Sequence, residues 1–227
     1  MKRVTVFIDD KEIKAPEGEK LLWAALDNGI YIPNLCAIEE KDLPHASCRL
    51  CFVEVEGHPR PVTSCTLPVT EGMKVTTRSP RVDRLVKTAF ELLISDHRLG
   101  CAKCPARGRC ELHKIARERG LKLSRKRFPY LDREAHKDES TDVFGFDSSR
   151  CVLCGRCVWV DRHKAKAGVL GFSRRGMERR VATFDESQLA NFDCTNCHLC
   201  VEACPVGAMY FLEKNNGNSR KTKGSVE

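Results

Sequence analysis

A chain of 227 residues with 41% hydrophobic content can bury a core, and 7% aromatics point to several modest cores rather than one large one. No apolar run of about 18 residues is present, which excludes a membrane-spanning helix, and Met1-Lys2-Arg3 leads into strand-like alternation rather than a secretory signal, so a cytoplasmic protein is expected. The formal charge of +8 raises nucleic acid as a partner.

In residues 1–78, Val4, Val6 and Ile8 alternate with polar residues, Asp9-Asp10 marks a turn and Ile13 restarts a strand, which predicts a hairpin. Leu21, Leu22, Ala25 and Leu26 give helical spacing closed by Gly29. A cysteine-bearing loop follows, then strands at 52–55 and near 74–77. Hairpin, helix, loop and strands predict an α+β unit of β-grasp type.

Residues 79–120 read as helical. Pro80 suits a first turn, and Val82, Leu85, Val86, Ala89, Phe90, Leu93 and Ile94 keep a 3.6 period. After a second cysteine loop, a helix from Glu111 to Arg119 should stop at Gly120. Residues 121–149 are charge-rich without a period and read as a linker. Residues 150–212 form the last module, and 213–227 a polar tail.

Fourteen cysteines punctuate these stretches. A chain of this length without an export signal is a poor disulfide scaffold. Zinc ribbons pair two C-x2-C knuckles, whereas here the cysteines run in threes and fours. The first set is Cys36-x11-Cys48-x2-Cys51-x13-Cys65. One short clamp and two long gaps let the chain wrap a two-iron cluster.

The second set is Cys101-x2-Cys104-x5-Cys110, one donor short of a four-iron site. Imidazole can complete it, and His97 and His113 both lie near enough in sequence. The third and fourth sets are Cys151-x2-Cys154-x2-Cys157 and Cys194-x2-Cys197-x2-Cys200-x3-Cys204-Pro205. They are the halves of a bacterial two-cluster ferredoxin unit, in which the fourth cysteine of a run serves the other cluster. Cys204 therefore completes the set Cys151, Cys154 and Cys157, and the fourth ligand of Cys194, Cys197 and Cys200 falls on Asp161. A carboxylate there is a harder donor than thiolate. The alternatives are a vacant corner, giving a three-iron cluster, or a corner filled by His163 or water. Every cysteine is used.

Clusters also change the charge. Those on four thiolates carry about −2 each, the His/Cys3 one about −1 and the Asp-completed one about −1 beyond its counted carboxylate, so the loaded protein stands near +2. Nucleic acid is then not an expected partner. No G-x-G-x-x-G or G-x4-G-K-[ST] is found, so no nucleotide site of those types is expected.

The four sets in this order resemble the small iron–sulfur subunit of the diaphorase part of NAD-linked soluble NiFe hydrogenases. They are similar as well to the N-terminal cluster domains of FeFe hydrogenases and of the large peripheral-arm subunit of respiratory complex I. The resemblance covers residues 1 to about 212 and rests most on His97-x3-Cys101-x2-Cys104-x5-Cys110 following a plant-type two-iron domain. It implies His97, rather than His113, as the nitrogen ligand. It implies no catalytic residue on this chain, one [2Fe-2S] and three [4Fe-4S] clusters, and partner subunits carrying FMN, the NAD(P) site and a NiFe centre. Some relatives of that family exchange electrons with ferredoxin, a further expected partner. The chain stops where longer relatives continue, which favours the separate hydrogenase subunit. Rival readings are a relay subunit of a complex I-like or NAD-linked formate dehydrogenase complex, and a free ferredoxin carrier. The departure from the family's pattern is Asp161, where cysteine is usual.

Overall fold

The computed structural model describes residues 2–131, 135–192, 194 and 197–212; the expected polar tail lies outside them. Strands β1 (Arg3–Ile8) and β2 (Lys11–Pro16) form the predicted hairpin, with Val6 opposite Ile13. Asp9 and Asp10 both take positive φ, the geometry of a two-residue turn matched to strand twist. Helix α1 (Leu21–Asp27) follows, then β3 (Phe52–Val55), β4 (Val62–Thr63) and β5 (Met73–Thr76). The sheet order is β2-β1-β5-β3-β4, with β1 parallel to β5 and Ile8 opposite Val75. Val4, Val6, Ile8, Leu21, Leu22 and Val53 close one core between this mixed sheet and α1.

Helix α2 (Pro80–Ser95) starts at Ser79, whose hydroxyl accepts from the Val82 amide at 3.2 Å. Val82, Val86, Phe90 and Ile94 recur every four residues, and this buried stripe enters a second core shared with the C-terminal module. Helix α3 (Glu111–Arg119) ends at Gly120, at φ +63°. Buried Arg119 ties α3 back, donating to the Thr77 carbonyl and to Asp83 of α2. Phe90 is fully buried, so Phe90→Ala should cost about 3–5 kcal/mol. Denaturant melts of the loaded protein measure it, and a cost under about 1 kcal/mol would mean that α2 is not anchored by this side chain.

The stretch 121–149 departs from its expected role as a linker. It contains β6 (Lys137–Asp138) and β7 (Phe144–Asp147), which join β10 (Met209–Phe211) in a sheet ordered β10-β7-β6. Phe144 and Phe146 are buried, and Met209 stands opposite Phe146. The alternation is only four residues long, and its partner strand lies some sixty residues later, so no local pattern announces it. Helix α4 (Arg156–Val160) runs into a wide turn at Asp161–Ala165 and packs on α5 (Leu199–Ala203). A short hairpin, β8 (Gly171–Ser173) and β9 (Arg180–Ala182), completes the module.

Candidate metal centres

All fourteen cysteines are free thiols. Seven of them are buried, six half-buried and one, Cys197, exposed, and among the described residues the fold brings members of each expected set near one another without closing them around an ion.

In the first set, Cys36 and Cys48 lie on the long loop after α1, Cys51 just before β3, and Cys65 in the tight turn Ser64–Thr66. All four are buried. The Cys48 amide donates to Cys36 Sγ at 3.4 Å. A hydrogen bond from the Cys48 thiol holds Cys36 well below the usual thiol range, and Cys48 rises correspondingly. Cys51 is lowered and Cys65 raised by the same kind of pairing with each other. Two adjoining thiol pairs, each shedding a proton readily from one member, suit a group held by four thiolates.

The second set lines a cavity of about 630 Å³, to whose wall His97, Cys101, Cys104, Cys110 and His113 all contribute. The two histidines differ in surroundings. His113 is exposed on α3. His97 is only 5% exposed and its Nδ1 is buried without a hydrogen-bond partner. Burial pushes its pKa down to about 4, leaving the neutral imidazole that metal ligation requires. Cys110 caps α3, and burial raises its thiol while the amides of His113 and Leu112 partly oppose that. A cavity of this size with one orphaned buried nitrogen fits a four-iron group.

In the third set, Cys151 follows the turn Ser148–Arg150, Cys154 precedes Gly155, Cys157 lies in α4 and Cys204 ends α5. Burial raises Cys157 far above its ordinary range, and the thiols of Cys154, Cys151 and Cys204 add to the rise. Cys204 thus joins residues some fifty positions earlier. Cys36 and Cys48 of the first set lie in the same apolar core as Cys154, Cys157 and Cys204 of the third.

The fourth set gathers Cys194, Cys197, Cys200 and Asp161. Burial pushes Cys200 up to about 12, with contributions from Cys194, Cys197 and Asp161. Asp161 is 7% exposed, and its Oδ2 accepts from the Leu170 amide at 2.9 Å. Burial raises its carboxyl pKa. One carboxylate oxygen is therefore anchored to the backbone. His163 is set apart: it is exposed, stacks on Trp159 at 4.9 Å, and its Nδ1 pairs with the Trp159 carbonyl.

The sequence reading passed over His45. Its Nε2 is buried without a partner, and its ring lies against Gly155, between the first and third sets. It sits in an aperiodic loop, so nothing local marks it.

Three family models match: a 2Fe-2S iron-sulfur cluster binding domain over residues 1–80, the NADH-ubiquinone oxidoreductase-G iron-sulfur binding region over 87–125, and the ferredoxin-like domain of NADH-quinone oxidoreductase subunit 3 over 142–210. The chain is 39% identical over 216 residues to the NADP-reducing hydrogenase subunit HndD of Solidesulfovibrio fructosivorans, covering 92% of this chain and 36% of that protein. It is 32% identical over 216 residues to the gamma subunit of the NAD-reducing hydrogenase HoxS of Cupriavidus necator, covering 94% and 88%. A crystal structure of an NAD+-reducing [NiFe]-hydrogenase in the H2-reduced state contains a chain that superposes with a TM-score of 0.82 at 31% identity, covering 95% of this chain and 89% of that one. Against the NADPH-Fe(3+) oxidoreductase subunit alpha of Geobacter sulfurreducens the identity is 34%, and the chain spans 24% of that length. The chain thus spans about a quarter to a third of the longer relatives. Among the described residues, no helix is long and apolar enough to cross a membrane.

Proposed function

This chain belongs to the family of the gamma subunit of NAD-reducing hydrogenase HoxS, and we propose that it is the electron-relay subunit of an NAD(P)-linked hydrogenase. In this reading Cys36, Cys48, Cys51 and Cys65 hold a [2Fe-2S] cluster. His97, Cys101, Cys104 and Cys110 hold a [4Fe-4S] cluster, as do Cys151, Cys154, Cys157 and Cys204. Asp161, Cys194, Cys197 and Cys200 hold the last one. Such clusters, when bound, take up and return one electron at a time without moving a substrate group.

The chain's own residues do the rest. The thiolates supply the negative charge, and the apolar cores keep water away from the buried ones, among them all four of the first set. The Cys48 amide on Cys36 Sγ and the Met209 amide on Cys204 Sγ, both at 3.4 Å, favour charge on those sulfurs and so shift the potential of what they hold. The observation that carries this reading is the gathering of Cys204 with Cys151, Cys154 and Cys157, because the crossed ligand pattern belongs to electron-transfer ferredoxin units.

The partners in this reading are a flavin subunit with the NAD(P) site, NiFe hydrogenase subunits and, in an electron-bifurcating assembly, ferredoxin, all in the cytoplasm. Alone, the chain should neither oxidise NADH nor evolve hydrogen; mixed with its flavin-bearing partner, it should carry electrons onward to an acceptor. Dye reduction followed under nitrogen tests this, and robust NADH-dependent reduction by the isolated, flavin-free chain would refute the relay role. A second reading rests on similarity to the NADH-ubiquinone oxidoreductase 75 kDa subunit of Reclinomonas americana, 31% identical over 206 residues. Co-purification with nickel-containing subunits would decide against it.

A further inference from the structure

At Gly171, Gly100 and Gly168 an added Cβ would meet nothing within 4 Å. At Gly207 it would come to 2.6 Å from Cys104 Sγ and 3.4 Å from the Ala106 amide nitrogen. Gly207 does not take the left-handed conformation, so backbone geometry does not demand a glycine there. Close approach does.

The turn that carries Gly207 wraps the thiol of Cys204. The Met209 amide donates to Cys204 Sγ at 3.4 Å, and that sulfur lies 3.0 Å from the Val206 carbonyl oxygen. On its other side the same turn is fastened to the second set, because the Glu111 amide at the start of α3 donates to the Pro205 carbonyl at 2.9 Å. One short segment therefore touches a donor of the second set with its bare Cα and encloses a donor of the third.

We propose that Gly207 is a positioning residue: its missing side chain seats Cys104 directly on the turn that holds Cys204, fixing the spacing of the second and third sites. The inference rests on the cluster reading above. Its physical content lies in the constraint on Cys104. A free thiol can swing about one torsion to avoid an intruding methyl. A thiolate tied to iron together with three other donors cannot, so the strain passes to the site as a whole. One electron leaves one site and its neighbour takes it up, with no bond made or broken, so the rate depends on this spacing.

The test uses the full chain, purified without oxygen, as wild type, Gly207→Ala, Gly171→Ala and Glu111→Pro. Proline is tolerated at the first position of a helix, so Glu111→Pro removes the amide that fastens α3 to the turn while sparing the helix. Iron and sulfide are counted, and electron paramagnetic resonance of the reduced protein reads each cluster and the magnetic interaction between clusters.

Gly207→Ala should keep the two-iron signal and the signal of the third site. It should lose either the second site's signal or its interaction with the third, and Glu111→Pro should weaken that interaction too. Gly171→Ala should match wild type. Unchanged interaction in both Gly207→Ala and Glu111→Pro at full iron content would overturn the proposal. So would loss of the third site alone, which would make Gly207 a requirement of its own turn. A wild-type chain that takes up no iron would overturn the cluster reading itself, and the proposal with it.

Discussion

Purified without oxygen, this chain should carry about 14 irons and as many sulfides per polypeptide, two in one cluster and four in each of three, from the donor count alone. The alternatives predict different numbers. Zinc on paired knuckles would give a few zinc ions and no sulfide. A disulfide scaffold would give neither, and its thiols would be oxidised rather than free as they are here. His97→Ala sharpens the test. It removes the buried, unpartnered imidazole from the cavity of Cys101, Cys104 and Cys110, whose other histidine, His113, is exposed. That variant should lose up to four irons while the other sites keep theirs. Iron near zero with zinc in its place would end the reading.

The second large effect belongs to Asp161. A carboxylate is a harder donor than thiolate and competes weakly for iron in a sulfur-rich site. The Leu170 amide anchors Oδ2, and Asp161 adds, with Cys194 and Cys197, to the rise of the Cys200 thiol. Mild oxidation should therefore expel one iron from this cluster before the others and yield a three-iron signal. Burial raises the Asp161 pKa, and only the deprotonated form is a good ligand. The yield of the three-iron signal should then grow as pH falls and shrink as it rises. Asp161→Cys should abolish the signal, and Asp161→Ala should make it permanent. Equal yields in wild type and Asp161→Cys would leave Asp161 as the anchor of the Leu170 turn and nothing more. His163 would not inherit the role readily, since its ring is committed to Trp159.

The parts of this fold that were legible in the sequence are those whose evidence is local. The hairpin turn at Asp9-Asp10, the stripe Val82, Val86, Phe90 and Ile94, and the stop at Gly120 each lie within a single turn or a single helix. The presence of two-iron and four-iron binding domains was legible for another reason: cluster ligation imposes short, repeated cysteine spacings. What escaped is long-range. Strand β7 reads as part of a polar linker until Met209 is set opposite Phe146. The difference between His97 and His113 came from family resemblance, because spacing cannot report which imidazole is buried. His45 and Gly207 acquire meaning only from residues that the chain brings up from elsewhere.

The pairing of β10 with β7 also sets an order in time. By the moment residue 80 has left the ribosome, the whole five-stranded sheet and its four cysteines exist as a unit that can close. The C-terminal module has no such early completion. Its sheet lacks an edge until Met209–Phe211 emerges, and both of its crossed donor sets wait for residues beyond Cys194. A nascent chain cut short before Met209 would still hold every strand of the five-stranded sheet while lacking the β10 partner of β7.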